Sequence, residues 1–211
     1  WFSSGQWPFA TLQTTKEGDF EKFYPTSVME TMYDILLFWV ARMVMLGLYV
    51  TKQVPFKDIV LHGKVLDPLG KKMSKSKGNA VDPIEIADQY GADAVRMALV
   101  YGTAFGHDQS LSHPKLQAMR NFTNKLWNIG RFVIEFAPDD AEHLDKRLEK
   151  EVKNPEDQKI IDELDKTAKT VTRAIDSYRF HDAADALYEF IRHQFAYKYN
   201  ESTKKRRAEA Q

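Results

Sequence analysis

The sequence predicts two structural classes in one chain: an α/β part first, then an all-α helical bundle, with helix predominating overall. Two observations predict this division. Short apolar runs between residues 58 and 66 are separated by turn residues and follow a long apolar segment, which is typical of an α/β layer. After His113 apolar residues recur at helical spacing over three long segments, which is typical of a helical bundle.

In the first part, residues 26–48 are apolar around most of a helical circumference, which predicts a buried helix. Residues 58–61 and 64–66 predict short strands on either side of Gly63. Residues 67–70, Asp-Pro-Leu-Gly, predict a turn.

The helices that follow have recognisable ends. Asp82 followed by Pro83 is typical of a helix start, and Gly91 ends this helix before another begins at residue 93. Beyond the polar segment 102–112 we predict helices over 115–136, from Asn154 for about 24 residues, and over 182–199.

The amino-acid composition excludes few classes of protein. The 211 residues carry 30 Lys or Arg and 30 Asp or Glu, so a nucleic-acid site would have to be a local basic surface. No cysteine is present, which excludes disulfides and cysteine-ligated zinc. The apolar run 35–50 contains Arg42 and is predicted to be too short to span a bilayer. We therefore expect a cytoplasmic protein with no membrane contact.

The most informative segment is Lys72-Met73-Ser74-Lys75-Ser76, followed by Lys77-Gly78-Asn79. Residues 72–79 are called the lysine loop below. Two lysines and two serines in a short loop that ends in glycine suit the stabilisation of nucleotide phosphates. A solvated surface turn is the alternative that the loop alone leaves open.

The lysine loop resembles the signature loop of class I aminoacyl-tRNA synthetases, and its flanks resemble valyl-tRNA synthetases in particular. Four further segments carry the resemblance in the family's order, besides Leu61-His62-Gly63: residues 1–9 (Trp-Phe-Ser-Ser-Gly then Trp-Pro-Phe), 34–43, 90–96 and 120–128. The resemblance is dense over residues 1–135 and weaker to about 200.

The resemblance implies the rear part of a Rossmann-like catalytic domain over residues 1–80, a stem-contact region over 81–112 and an incomplete anticodon-binding domain over 113–211. The family's other signature, a His-Ile-Gly-His-like motif, is not in the sequence. We therefore expect a fragment that is inactive alone, from a monomeric parent that uses ATP with Mg²⁺, valine and valine tRNA isoacceptors. We predict no protein-bound metal.

The resemblance also implies roles for single residues. Lys72 and Lys75 would stabilise the α-phosphate and the departing pyrophosphate. Met73, Ser74 and Ser76 belong to the same ATP-binding loop: the serines would donate hydrogen bonds or only shape the loop, and Met73 would anchor it on apolar neighbours. A second set is implied for the other ligands: His62 and Gly63 for ATP, and Trp1, Asp34, Ile35 and Trp39 for the amino acid. From the pattern alone, Trp39 and Ile35 are more often core residues of a buried helix, and a lone histidine such as His62 is more often structural.

On the helix after His113, Asn121, Lys125, Asn128 and Phe132 are spaced i, i+4, i+7 and i+11, so they share one face. Amides, a cation and an aromatic ring suit single-stranded RNA bases. The resemblance adds Arg131 and implies anticodon contacts. The alternative is a solvated face with Phe132 packed in the bundle.

Two other functions stay open from the sequence. An isoleucyl- or leucyl-tRNA synthetase is disfavoured by residues 1–5. A non-catalytic RNA-binding module of the same architecture is the alternative of another class.

Overall fold

The computed structural model describes residues 1–74, 78–104, 106–135 and 154–209. These residues form two compact units. The first unit comprises Trp1–Val65 with residues 106–109, and the second comprises the rest of the described chain from Leu66 onward. The domain boundaries expected from the sequence, after residues 80 and 112, remain predictions.

The first unit contains a parallel two-stranded sheet. Strand β1 is Thr26–Met32 and strand β2 is Phe56–His62. Their register runs from Thr26 opposite Phe56 to Met32 opposite His62, so both strands end at the same edge. Parallel strands need a long crossover, usually helical, and the helical stretch Tyr33–Thr51 lies within it.

Helical segments precede and connect the two strands. The bounds are α1 Phe2–Thr15, α2 Asp19–Phe23, a 3₁₀ turn Tyr33–Ile35, a π-helical segment Leu36–Val40, and α3 Ala41–Thr51. The core of the unit is formed by Val40, Met43 and Phe56, with Trp39 and Leu36 packed against it.

The predicted helix over residues 26–48 is wrong in its first third. Residues 26–32 form β1, and the helical stretch begins only at Tyr33. Threonines and Val28 favour a strand, but an apolar run shows no clear period from which to separate strand from helix. Pairing with β2, which lies 30 residues further along the chain at Phe56, decides the outcome.

The length argument against a membrane span is also wrong. The helical stretch Tyr33–Thr51 has 19 residues and a mean hydropathy of 1.6, and 17% of its apolar window is buried. By length and composition alone it could cross a bilayer, although core helices of soluble proteins meet the same criterion. The expectation of no membrane contact therefore stays a prediction.

Two short strands, β3 (Val65–Leu66) and β4 (Gln109–Ser110), mark where the chain passes from one unit to the other. The Gln109 amide donates to the Lys64 carbonyl (2.9 Å), and the Leu111 amide donates to the Leu66 carbonyl (3.1 Å).

The second unit is helical. Its bounds are α4 Pro83–Tyr90, α5 Ala92–Val100, α6 His113–Glu135, α7 Pro155–Asp176, α8 Phe180–Glu189, a π-helical segment Phe190–Tyr199 and α9 Asn200–Glu209. Asp82 caps α4 by accepting from the Ile84 amide, and Asn154 caps α7 by accepting from the Glu156 amide, both at 2.8 Å.

Apolar side chains of α6 supply much of this unit's core. Met119, Phe122 and Ile129 are buried as predicted, whereas Leu126 and Val133 are nearly half exposed. The Phe122 ring lies 4.8 Å from the ring of Tyr188 on α8. The predicted fold class, a small α/β part followed by an all-α part, is confirmed.

Candidate functional site

The base of the lysine loop is fixed by a buried carboxylate. Asp67 is 6% exposed. Its Oδ1 accepts from the amides of Leu69 (2.9 Å) and Lys71 (2.8 Å), and its Oδ2 accepts from Asn79 Nδ2 (2.9 Å). The bond from the Lys71 amide, and then that from Asn79, lower the pKa of Asp67. The side chain is therefore a carboxylate at neutral pH.

Asn79 connects the far end of the lysine loop to its near end. Its Oδ1 accepts from the Ser74 amide (2.9 Å), and its Nδ2 donates to the Lys72 carbonyl (3.3 Å) as well as to Asp67. Lys72 also pairs with Leu66 in an antiparallel bridge. The backbone on which the Lys72 side chain stands is thus tied at several points.

Within the loop, Lys72 is exposed, and Met73 and Ser74 are half-buried. Lys75 and Ser76 lie outside the described residues, so their predicted roles stay predictions. Sequence reasoning did not single out Asp67 and Asn79 as candidate site residues. The turn at 67–70 and the Gly-Asn end of the loop were visible in the sequence, but the bond that joins them spans 12 positions.

In the first unit, candidate residues lie where β1 and β2 end. Open α/β sheets bind ligands at the carboxyl ends of their strands. His62 closes β2, and its Nε2 lies 3.1 Å from Glu30 Oε1 on β1. Its Nδ1 lies 2.7 Å from the Gly63 carbonyl oxygen. The imidazole is therefore held by its own strand pair and is about half exposed.

Gly63 is required by a close backbone approach. A Cβ at this position would lie 2.0 Å from the His107 carbonyl oxygen and 2.6 Å from the Asp108 nitrogen. These are backbone atoms, which cannot rotate away as a side chain can. Packing alone thus accounts for glycine here, whether or not its backbone contacts a nucleotide.

A charged network lies beside Gly63. Lys64 Nζ is 3.8 Å from Asp34 Oδ2 and 4.8 Å from the centre of the Tyr33 ring. Asp108 accepts from the Lys64 amide (2.7 Å) and from the Tyr33 hydroxyl (3.3 Å). A hydrogen bond with Tyr33, together with the nearby carboxylates, raises the pKa of Lys64. Asp34 is thus held next to a cation at the sheet edge.

The predicted amino-acid-binding residues differ in environment. Trp39 packs against the core cluster, and Ile35 is half-buried in the 3₁₀ turn. Trp1 is 73% exposed, and the Arg42 guanidinium lies 4.8 Å from its ring centre. Trp39 therefore has a packing role in this structure, and a pocket wall formed by both tryptophans remains a prediction.

On α6, the structure brings four predicted residues into one groove of about 440 Å³. From α6 its lining comprises Asn121, Asn124, Lys125, Asn128, Ile129 and Phe132. The other side comprises Ala196 from the π-helical segment and Asn200, Glu201 and Lys204 from α9. Arg131 is exposed and does not line the groove. The amide-rich lining offers hydrogen-bond donors and acceptors beside Lys125 and Lys204, and Lys204 Nζ donates to Glu201 Oε1 at 2.9 Å.

Each of the two lysines that line this groove lies close to an aromatic ring. Lys125 Nζ lies 5.6 Å from the centre of the Tyr197 ring, and Lys204 Nζ lies 5.8 Å from that of Phe132. Phe132 is half-buried, whereas Tyr197 is 68% exposed. Tyr197, Asn200 and Lys204 were not predicted, because their approach to α6 depends on packing between distant segments.

In the described part of the chain, no group of three or more His, Asp or Glu side chains could hold a metal ion.

Comparison with known proteins adds two family matches. Residues 1–112 match the family described as "tRNA synthetases class I (I, L, M and V)". Residues 157–211 match the family described as "Anticodon-binding domain of tRNA ligase".

Curated relatives and solved structures agree with these families. The valine–tRNA ligase of Lactobacillus acidophilus is 44% identical over 97% of this chain, and that of Dehalococcoides mccartyi is 45% identical over 98%. The chain spans 23% of the length of each.

Two solved structures share the fold. A LeuRS of Agrobacterium radiobacter K84, in a complex with tRNA and LeuAMS, gives a TM-score of 0.74 at 20% identity, over 90% of this chain and 26% of that one. Methionyl-tRNA synthetase of Mycobacterium tuberculosis, bound to methionyl-adenylate, gives 0.66 at 25% identity, over 86% and 35%.

Proposed function

Because this chain belongs to the class I tRNA synthetases (I, L, M and V), we propose that its 211 residues form part of a valine–tRNA ligase. One observation carries the choice of valine. Relatives named valine–tRNA ligase are 44–45% identical over nearly the whole chain, whereas the leucyl and methionyl structures are 20–25% identical.

The reaction proposed for that ligase has two steps. A valine carboxylate oxygen attacks the α-phosphorus of ATP, the bond to the β-phosphate oxygen breaks, and pyrophosphate leaves. A terminal ribose hydroxyl of tRNA then attacks the valyl carbonyl, and AMP leaves. No protein nucleophile is needed, so the protein contributes positioning and charge stabilisation. Mg²⁺ enters with ATP as part of the substrate.

Lys72 is the described residue that we propose stabilises the transition state. It is exposed on a backbone that Asn79 and Leu66 fix, so its ammonium can reach a phosphate while its Cα stays in place. Lys75 is proposed for the same role on the resemblance alone. A cation held near developing negative charge is worth more in the transition state than in the ground state.

The amino-acid side of the proposal depends on the first unit. Asp34 is held beside Lys64 at the carboxyl edge of the sheet, where its carboxylate could also accept from a substrate ammonium group. We propose that Trp1, Ile35 and Trp39 bound the apolar part of the pocket. A single methylene group is worth only about 1–3 kcal/mol of discrimination, so the shape of such a wall decides specificity.

The groove on α6 is proposed to bind tRNA. Asparagine amides can donate to and accept from base edges, and exposed aromatic rings can stack on bases. The match of residues 157–211 to an anticodon-binding family supports this proposal, because Asn200 and Lys204 of that range line the same groove as Lys125 and Phe132.

The test for activation is valine-dependent ATP–pyrophosphate exchange. In the ligase polypeptide that carries this chain, Lys72→Ala and Lys75→Ala should each lower kcat by about 10²–10³ with little change in the valine KM. The 211 residues alone should give no exchange above background. Exchange by the isolated chain, or a ligase that prefers isoleucine or leucine, would count against the proposal.

The test for RNA binding is filter binding of the whole 211-residue chain to a valine tRNA anticodon stem-loop at two salt concentrations. Phe132→Ala should cost about 1–3 kcal/mol if a base stacks there. Lys125→Ala should reduce the salt dependence by about one counterion. Lys169→Ala, an exposed lysine on α7 away from the groove, is the matched control and should bind like wild type.

If stem-loop binding is strong but the ligase shows no exchange, the non-catalytic RNA-binding module becomes the better description. If Phe132→Ala and Lys125→Ala both bind like wild type with unchanged circular dichroism, the groove is not the RNA site.

A further inference from the structure

The lysine loop has a base that is built more strongly than a solvent-exposed turn requires. Five hydrogen bonds converge on the side chains of Asp67 and Asn79, at distances of 2.8 to 3.3 Å. A sixth holds the Asp67 backbone, because Ser110 Oγ donates to its carbonyl oxygen at 2.7 Å. The loop therefore begins and ends at one fixed point.

We propose that Asp67 and Asn79 are positioning residues for valine activation, which set the backbone of Lys72 and Ser74 and so direct the Lys72 ammonium toward ATP. This inference rests on the proposed function, because it assigns the two residues a role in that same reaction. Neither residue is proposed to touch the substrate.

The chemistry of each side chain suits this role. An asparagine amide is both donor and acceptor, and Asn79 uses both ends: it accepts from Ser74 and donates toward Lys72 and Asp67. The buried Asp67 carboxylate accepts three N–H groups, and charge-assisted bonds of this kind are stronger than neutral ones. Asparagine and aspartate are thus complementary across the loop.

The same geometry argues against direct contact with ATP. A carboxylate would repel the phosphates, and Asp67 is 6% exposed with both oxygens bonded to the protein. The effect of the pair must then pass through the backbone that carries Lys72. Since a shift of about 1 Å in a catalytic group can cost 10²-fold in rate, losing the pair should affect turnover more than substrate affinity.

The first experiment uses the 211-residue chain and hydrogen–deuterium exchange of single amides by NMR. Asn79→Ala should raise the exchange rate of the Ser74 amide about five- to tenfold, as expected for the loss of one ordinary hydrogen bond. Leu69→Ala is the matched control, because this side chain of the same turn is 81% exposed while its amide still donates to Asp67. It should leave the Ser74 amide unchanged.

The second experiment measures valine-dependent ATP–pyrophosphate exchange in the ligase. Asn79→Ala should lower kcat about 10- to 100-fold with the valine KM within twofold of wild type. Asp67→Asn alone should also lower kcat, because the new amide NH₂ group at position 67 would then face the Asn79 NH₂ group, and neither can accept a hydrogen bond from the other. Combining Asp67→Asn with Asn79→Asp again places a donor opposite an acceptor, so it should recover part of kcat.

Recovery in the double variant would show that the two side chains act through their mutual bond, because the effects of two independent substitutions would add. The valine KM and the circular dichroism spectrum, both unchanged, would separate positioning from loss of folding. A wild-type ligase without valine-dependent exchange would overturn the proposed function, and the amide-exchange result would then test the role of Asp67 and Asn79 on its own. An active wild type with an equally active Asn79→Ala variant would overturn the present inference. An unchanged Ser74 amide in Asn79→Ala would overturn it as well.

Discussion

Replacing Gly63 with alanine tests whether backbone packing, rather than a ligand, requires glycine at the end of β2. The added Cβ would lie 2.0 Å from the His107 carbonyl oxygen, 2.2 Å from its carbonyl carbon and 2.6 Å from the Asp108 nitrogen. Overpacking costs about 1–3 kcal/mol, and we expect the upper end because all three obstructing atoms are backbone. The segment after residue 105 would have to move away from Lys64.

This loss of unfolding free energy can be converted into a change in the melting temperature, Tm. For chains of 150–250 residues, 1 kcal/mol shifts Tm by about 2–4 °C, so Gly63→Ala should lower Tm by about 6–12 °C. The loss should be present without any nucleotide. Circular dichroism gives Tm, and hydrogen–deuterium exchange read by mass spectrometry should locate the loosened amides in residues 61–66 and 106–109.

Gly130→Ala is the matched control. A Cβ on Gly130, within α6, would meet nothing within 4 Å, and alanine favours a helix over glycine by about 0.5–1 kcal/mol. This variant should therefore melt slightly higher than wild type. If Gly63→Ala melts within 2 °C of wild type, the backbone approach does not explain the glycine, and a ligand contact becomes the better reason.

Two further predictions concern stability. Because Asp67 has a lowered pKa in the folded chain, the stability it contributes should be complete well above 3.8, the ordinary pKa of the group, and should be lost as the pH falls through the folded pKa. The difference in Tm between wild type and Asp67→Asn should thus shrink between pH 7 and pH 3, and a constant difference would contradict the assignment. Trp39→Ala should lower the free energy of unfolding by about 3 kcal/mol, because the ring packs on the core. Trp1→Ala should lower it by about 1 kcal/mol or less, the value of the contact between Trp1 and Arg42. Chemical denaturation compares the two variants, and equal losses would refute the difference in roles.

Local signals in the sequence predicted the elements that local physics decides. Asp82 and Asn154 cap the helices they were predicted to begin, since a side-chain acceptor and the following amide lie within a few residues of each other. The shared face of Asn121, Lys125, Asn128 and Phe132 follows from helical spacing alone, and all four line one groove. Predictions of this kind need no knowledge of tertiary packing.

Elements that depend on distant partners were missed. Residues 26–32 form a strand because β2 is available as a partner. The sequence of the segment itself does not indicate that β2 will pair with it. The Asp67–Asn79 pair and the approach of His107 to Gly63 depend on contacts across 12 or more positions. A sequence shows which residues are able to make such bonds, but chain geometry decides which of them meet.

The opposite wall of the α6 groove illustrates a subtler limit. Residues 182–199 were predicted as one regular helix, with Phe195 directed inward. The structure instead has a π-helical segment over Phe190–Tyr199, in which each turn holds more residues than an α-helical turn because the bonds run from i to i+5. Phe190 and Ala196 are the buried residues of this segment, Phe195 is half-buried with its ring 6.3 Å from that of Phe190, and Tyr197 lies beside Lys125. A 3.6-residue period therefore does not fix by itself which side chains of such a segment are buried most deeply. The groove was therefore predictable on its α6 side and not on the side that Asn200 and Lys204 complete.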